Sequence, residues 1–449
     1  MLVFQPDVLL DQLQASVHHH TTSMSRCCQI PAWRRHWRYS SLHGAPRNPM
    51  FGDLAGQNFG EPTALATEGR VLWVIGSHGS PRLKRVATTP AGVGRPADGT
   101  GTKNLMQPSS SPTTSDGVTY ARTREGFDLP VIDVTSPRFA VPDDPAMVRG
   151  CHEAYMAGER RRRRIPKFIM GMMLRSAARK SRLVRAMFNP NEGFLDGIST
   201  YVMKLGADNL VPPYDTPMDR RVAAAPHVVL VRLRMQQVAH LIAEEIVDDL
   251  AAAAATAPLS LINIGGGPAL DSINALILLR RARPDLLNRR IAIEVLDVSP
   301  DGAFFGANAL AALRADNGPL AGLDIAMQHR DYDWNRPAAL ASLVEERSSA
   351  GAVIAASSEG ALFEYGSDQA IVSNLQALRA EGRGVRLVAG SVTCADETRR
   401  RMIAQMRFKL VPRGIAGFAP LAAQAGFRVA KVESALISDQ VLLRLDRRG

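Results

Sequence analysis

From Leu259 onward, short apolar runs alternate with longer segments of helical spacing: LSLINI, IAIEVLDV, LDIAMQHR, GAVIAAS and GVRLVAGS. That alternation predicts parallel strands joined by helices on both faces of a sheet. Toward the C-terminus the rhythm changes. RVAKVES and DQVLLRLD are separated by a connection too short for a helical crossover, so they predict an antiparallel hairpin. The expected fold class is α/β: a seven-stranded, mostly parallel sheet with an antiparallel last strand, spanning residues 255–449.

Upstream, residues 142–254 carry helical patterning and predict a helical accessory or cap domain. Asp143, Asp144 and Pro145 form a helix start. From about Pro226 to Ala254, Leu230, Leu233, Val238, Leu241, Ile242 and Ile246 recur at helical spacing and predict a helix packed beside the sheet. Within NEGFLDGISTYVMKLGADNLVPPYD, turn chemistry at Asn191, Gly193, Gly206 and the Pro212-Pro213 pair predicts a short helix and a loop approaching the active site. Between Arg160 and Arg185, basic residues alternate with Ile165, Phe168, Ile169, Met172, Met173, Leu174, Leu183 and Val184. Such a stretch lies on an anionic membrane or nucleic acid, or is a solvated basic face over a buried Met-rich stripe.

Residues 1–141 are expected to be an extension, either a disordered basic tail or translated upstream sequence with the natural start at Met106. Up to about Thr102 no sustained period is present. His18, His19 and His20 suggest metal capture only weakly, and Trp33 to Arg38 interleave aromatic and basic residues as single-strand nucleic-acid binders do. Over the 449 residues the net charge is +11, which speaks to encounter and solubility and names no partner. Four cysteines without a C-x-x-C pair give neither a disulfide framework nor a zinc site, and no metal is expected. With no apolar run long enough to span a bilayer and no signal peptide, the expected location is cytoplasmic.

In a sheet of this kind ligands sit beyond the carboxyl ends of the strands. Gly265, Gly266 and Gly267 follow the first strand, where glycine allows positive φ and close backbone approach. Asp297 ends the second strand, placed to take the two hydroxyls of a ribose, and Asp331 ends the third, followed by Tyr332, Asp333 and Trp334, suited to an adenine edge and face. A dinucleotide site wants G-x-G-x-x-G, and here its third glycine position is Leu270. A cofactor without phosphates needs only the close turn.

These features resemble the class I S-adenosylmethionine-dependent methyltransferases over roughly Leu259 to Leu445: the NIGGGPA turn, Asp297, Asp331, the AGF before the penultimate strand and the terminal antiparallel strand. Asn263 stands where that family commonly has an acidic residue and Ala269 where a further glycine is frequent. SEGALFEY, Ser358 to Tyr365, is similar to the E-G-x-L-x-x-Y motif of the leucine carboxyl methyltransferase-like branch, and DYDW and Arg232 fit the same comparison. The resemblance implies a Rossmann-like fold, S-adenosylmethionine as cofactor, and Asn263, Gly265, Gly266, Gly267, Asp297, Asp331, Tyr332 and Ser358 around it.

No catalytic base stands out. Glu359 is a candidate to touch cofactor or acceptor, or else a helix cap; Tyr365 and Tyr201 are candidates to orient an acceptor or are packing residues; His329 is a candidate general base or a structural residue of the third strand. Three functions follow: O-methylation of a small-molecule acceptor; methylation of RNA or protein through the basic segment; and a nicotinamide-dependent oxidoreductase or a non-catalytic cofactor-binding protein.

Overall fold

The computed structural model describes residues 114–115, 117–188, 195–379, 384–404 and 408–446, together with the backbone of 63–67 and 70–74. His18 to His20, Trp33 to Arg38, Met106, Asn191 and Gly193 lie outside the described residues. Strands β1 (Thr63–Thr67) and β2 (Arg70–Val74) pair antiparallel in a compact unit of their own, Arg26–Lys103.

In the larger unit, β3 (Thr114–Ser115), β4 (Val118–Arg122) and β5 (Asp128–Pro130) form a small antiparallel sheet. Helices follow: α1 (Pro145–Arg162), α2 (Lys167–Lys180), α3 (Arg182–Phe188), α4 (Gly197–Leu205), α5 (Pro217–Ala223), α6 (Pro226–Glu245) and α7 (Val247–Ala252). The main sheet is built from β6 (Leu259–Ile264), β7 (Ile291–Asp297), β8 (Ile325–Asp331), β9 (Val353–Ser358), β10 (Leu387–Thr393), β11 (Phe427–Ser434) and β12 (Ser438–Leu445). Between them run α8 (Leu270–Ala282), α9 (Pro300–Leu313), α10 (Ala338–Ser349), α11 (Leu362–Tyr365), α12 (Asp368–Arg379), α13 (Glu397–Ala404) and α14 (Gly414–Gln424).

The strand order is β11-β12-β10-β9-β6-β7-β8, with β12 antiparallel to both its neighbours. Every residue of β6, β9 and β10 is buried, as central parallel strands covered on both faces must be, whereas β11 and β8 alternate because they are the edges. The fold class expected from the apolar runs is the one found. Between β6 and β9 the chain reverses its direction of travel across the sheet, which is where such sheets bind ligands.

Two boundaries move. Residues 117–141, expected to belong to the extension, are built into the core: Leu129, Val131 and Ile132 are buried, and Asn274 of α8 accepts from the Val134 N–H and donates to the Ile132 carbonyl. The β4–β5 ladder satisfies the first part of this backbone, and beyond it long-range side-chain partners do so. Nor is α6 part of a separate cap. It packs against α8, β10 and β12, and Val228, Val238, Leu241 and Ile242 share one apolar core with Leu261 and Ile293 of the sheet. A second core, around Ile262, Ile354, Val388 and Phe418, fills the opposite face.

The glycine turn is seated on glycines from elsewhere. A Cβ at Gly302, in the first turn of α9, would fall 2.7 Å from Gly267 Cα, and one at Gly197, which opens α4, would fall 3.6 Å from that same atom. Helix α4 therefore brings the helical arm against the turn through its first residue, not through the loop that follows it. Gly302→Ala forces the turn to shift, and such overpacking costs about 1–3 kcal/mol. Urea unfolding should show this loss, with weakened binding of whatever ligand the turn holds; an unchanged midpoint would mean that α9 yields instead.

Candidate functional site

Hydrogen bonding between β6, β7 and β8 places the glycine turn, Asp297 and Asp331 side by side at one edge of the sheet. Gly265 N–H donates to the Leu296 carbonyl, and Asp297 pairs in register with Asp331. Gly265 has φ 69° and Gly267 φ 55°. A side chain at Gly265 would collide with Ala361 Cβ, and the Trp334 ring lies over the same spot. Ala269 has φ 54°, a left-handed conformation that costs a non-glycine residue roughly 1–2 kcal/mol. The backbone thus keeps the glycine geometry where the residue departs from it.

Asp297 carries the polar chemistry of this edge. Its Oδ2 accepts from Gly267 N–H at 3.1 Å and its Oδ1 from Ser299 N–H at 2.9 Å, so each oxygen keeps lone-pair capacity for a further donor. Burial pushes its pKa above the ordinary carboxylate value, against the opposing pull of those N–H groups. Beside it Val298 is 73% exposed, a large aliphatic side chain held out at the strand end. The apolar run IAIEVLDV extends through Val298, but the strand itself ends at Asp297. An apolar group next to a carboxylate suits a nucleoside, with the base on the former and the ribose hydroxyls on the latter.

Other residues expected around a cofactor serve the scaffold. Asn263 is fully buried; its Nδ2 donates to Asp271 Oδ1 at 2.6 Å and to Ser357 Oγ at 3.1 Å, and its Oδ1 fills the place where a Gly266 side chain would be. It holds the turn from beneath. Tyr332 points into the core, its hydroxyl donating to Asn374 Oδ1 at 2.5 Å. Ser358 Oγ donates to the Ile264 carbonyl and accepts from Leu362 N–H, splicing β6 to the chain beyond β9. Asp331 remains exposed at the strand end.

The catalytic candidates are also engaged elsewhere. Glu359 is neither a cap nor a free acid: buried, it takes Lys204 Nζ on Oε2 and Arg234 Nε at 2.5 Å on Oε1, and these two cations hold it down to about 2. Arg234 also donates to both oxygens of Glu364, at 3.1 and 3.2 Å. Arg232 donates to the Phe139 carbonyl and covers Gly206. His329 Nε2 lies 2.8 Å from the Asp297 carbonyl, so that nitrogen carries the proton and donates. Tyr201 donates to the Pro130 carbonyl and accepts from Ile132 N–H, and burial raises its pKa steeply. Burial and the neighbouring Glu364 raise that of Tyr365, which packs beside Phe408 and Leu410.

The start of α8 carries a carboxylate of its own. Asp271 lies in its first turn, buried, accepting from Ser272 N–H at 2.8 Å and from Asn263 Nδ2 at 2.6 Å, so a side-chain carboxylate already occupies a helix start that favours anions. Leu270 is packed into the core. Among the described residues no group of three His, Cys, Asp or Glu side chains could hold a metal ion.

No protein-family model matches the chain, and no curated protein matches it. Among solved structures, a complex of LepI with SAM is 16% identical over 44% of this chain and 46% of its own, with a TM-score of 0.29. An O-methyltransferase from neocarzinostatin biosynthesis, NcsB1, in complex with S-adenosylmethionine and 2-hydroxy-5-methyl naphthoic acid, is 21% identical over 49% of this chain and 58% of its own, at 0.27. A "possible exported protein" from Bordetella parapertussis is 14% identical over 69% of this chain and 99% of its own, at 0.42. This chain thus matches about half the length of the first two, and at such scores the likenesses add no weight to the topology. The sheet order itself, with its one antiparallel strand and the glycine turn after β6, is that of a Rossmann-like fold.

Proposed function

We propose that this protein is an S-adenosylmethionine-dependent methyltransferase that methylates an oxygen of a small-molecule acceptor. The observation that carries the proposal is the juxtaposition of the glycine turn, the Asp297 carboxylate and exposed Val298 at the carboxyl edge of the sheet, where a buried Asp271 disfavours phosphate. When bound there, S-adenosylmethionine supplies an electrophilic methyl group on its sulfonium. Gly265 to Gly267 give it backbone room, Asp297 accepts from the ribose hydroxyls, and Val298 covers the adenine. Helix α4, whose Gly197 abuts the turn, bounds the acceptor side. Because Glu359, His329 and Tyr201 are committed to internal bonds, the acceptor that suits this site arrives ionised, as a carboxylate or an acidic phenol, and the protein's task is alignment.

A thermal melt of the full chain tests the cofactor. S-adenosylhomocysteine at about a hundred times its dissociation constant should stabilise the folded state by about 2.7 kcal/mol, S-adenosylmethionine should act similarly, and NAD should do nothing. Stabilisation by NAD alone, or by none of the three in folded protein, rejects the proposal.

A further inference from the structure

Helix α2 buries one side and leaves an apolar pair in water on the other. Met173 and Ala177 are in the main core, with Ile169 packed against it, while Phe168 is 76% exposed and Met172 65%. At about 100° per residue, Phe168, Met172, Arg175 and Arg179 fall within one narrow outward stripe of the helix. Arg175, Arg179 and Lys180 are exposed, as are Arg160, Arg161, Arg163 and Arg164 at the end of α1 and in the turn that follows it. Between Arg160 and Arg185 stand eleven Lys and Arg residues and no acidic one, as many positive charges as the net excess of the whole chain.

We propose that this face of α2 is a docking surface for an anionic phospholipid bilayer, with the helix lying in the interface. Phe168 and Met172 enter the acyl boundary and the surrounding arginines engage the headgroups. Charge complementarity selects this occupant. A protein partner would meet arginines inside the apolar stripe, whereas protein interfaces deplete charge at their centre. A nucleic acid would gain nothing from burying Met172. Among the described residues no helix is long and apolar enough to cross a membrane, so the contact is peripheral. The proposal stands apart from the cofactor reading, since none of these residues lies at the glycine turn.

The test is co-sedimentation of the full chain with phosphatidylglycerol-rich vesicles and with pure phosphatidylcholine vesicles, over a salt series. Binding to the anionic vesicles alone is expected, weakening with salt. Phe168→Ser combined with Met172→Ser should lower it about tenfold or more, and Arg175→Gln with Arg179→Gln by a similar factor. These side chains are exposed, so circular dichroism should show both variants folded. Equal binding to neutral vesicles, no binding, or anionic binding unaffected by the loss of Phe168 and Met172 would each overturn the proposal. So would single-stranded RNA that binds the chain and displaces it from vesicles with Phe168 and Met172 making no difference.

Discussion

Arg234→Met is expected to cost about 3–5 kcal/mol of folding stability, the usual penalty for removing one partner from a buried ion pair. Arg234 is among the most completely buried large side chains and answers two carboxylates, Glu359 and Glu364. Methionine fills much of the volume but leaves Glu364, itself fully buried, without the guanidinium that holds it. Against a typical total of about 5–15 kcal/mol, such a loss is large. Urea unfolding of the single variants and of Arg234→Met with Glu364→Gln separates the terms: neutralising Glu364, left with the more weakly placed Arg399 as its nearby cation, should restore about 1 kcal/mol or more, a coupling that simple loss of packing would not produce. The acid limb carries a second signature. Glu359 has its carboxyl lowered in the folded state from 4.5 to about 2, so its contribution is complete above the unfolded value and disappears as pH falls through that window. Glu359→Gln should lower stability at neutral pH and flatten its dependence between about pH 4.5 and 2. A variant that unfolds with the original acid slope would place the protonation step elsewhere.

This network shows where sequence reasoning stops. Lys204, Arg234, Glu359 and Glu364 come from α4, α6 and the segment beyond β9, and nothing local marks them as partners. SEGALFEY drew attention to Glu359, but its meaning depends on cations 125 and 155 residues away. Gly360 is explained only in space: a Cβ there would meet Arg234 Nη2 at 2.4 Å.

The sheet was legible because burial on both faces leaves unbroken apolar runs, as in β6, β9 and β10, and because the short link before β12 permits only a hairpin. So were the strand ends, since the register that aligns β6, β7 and β8 also aligns Gly265, Asp297 and Asp331. Side-chain direction was not legible. Period-two alternation does not say whether Tyr332, one residue past its strand, turns to the edge or into the core, and a bond to Asn374 of α12 settles it. Val298 was hidden for the opposite reason: its apolar character matched the strand, and only the strand's termination leaves it exposed. Residues 117–141 were assigned to the extension because their anchors, Tyr201 and Asn274, lie far along the chain.

Asp297→Asn is expected to weaken S-adenosylhomocysteine binding while leaving the protein as stable as before or more so at neutral pH. Hydrogen bonds to a charged group are worth about 1.5–3 kcal/mol each, so losing both ribose contacts, as in Asp297→Ala, should raise the dissociation constant about a hundredfold or more. Asparagine retains one acceptor oxygen and should fall between the two. The stability effect runs the other way because burial raises the Asp297 carboxyl in the folded state. A carboxyl raised in this manner stabilises fully below its unfolded value and loses that stabilisation as pH climbs through the folded value, so at neutral pH the ionised form is a cost. Asparagine removes the charge and can still accept from one of the N–H groups of Gly267 and Ser299. Calorimetric titration and urea unfolding on the same two variants separate the possibilities. Binding lost together with stability would make Asp297 a strut of the turn. Binding lost with stability kept would mark it as a group maintained at the fold's expense for its ligand, as stored cost at a functional site requires.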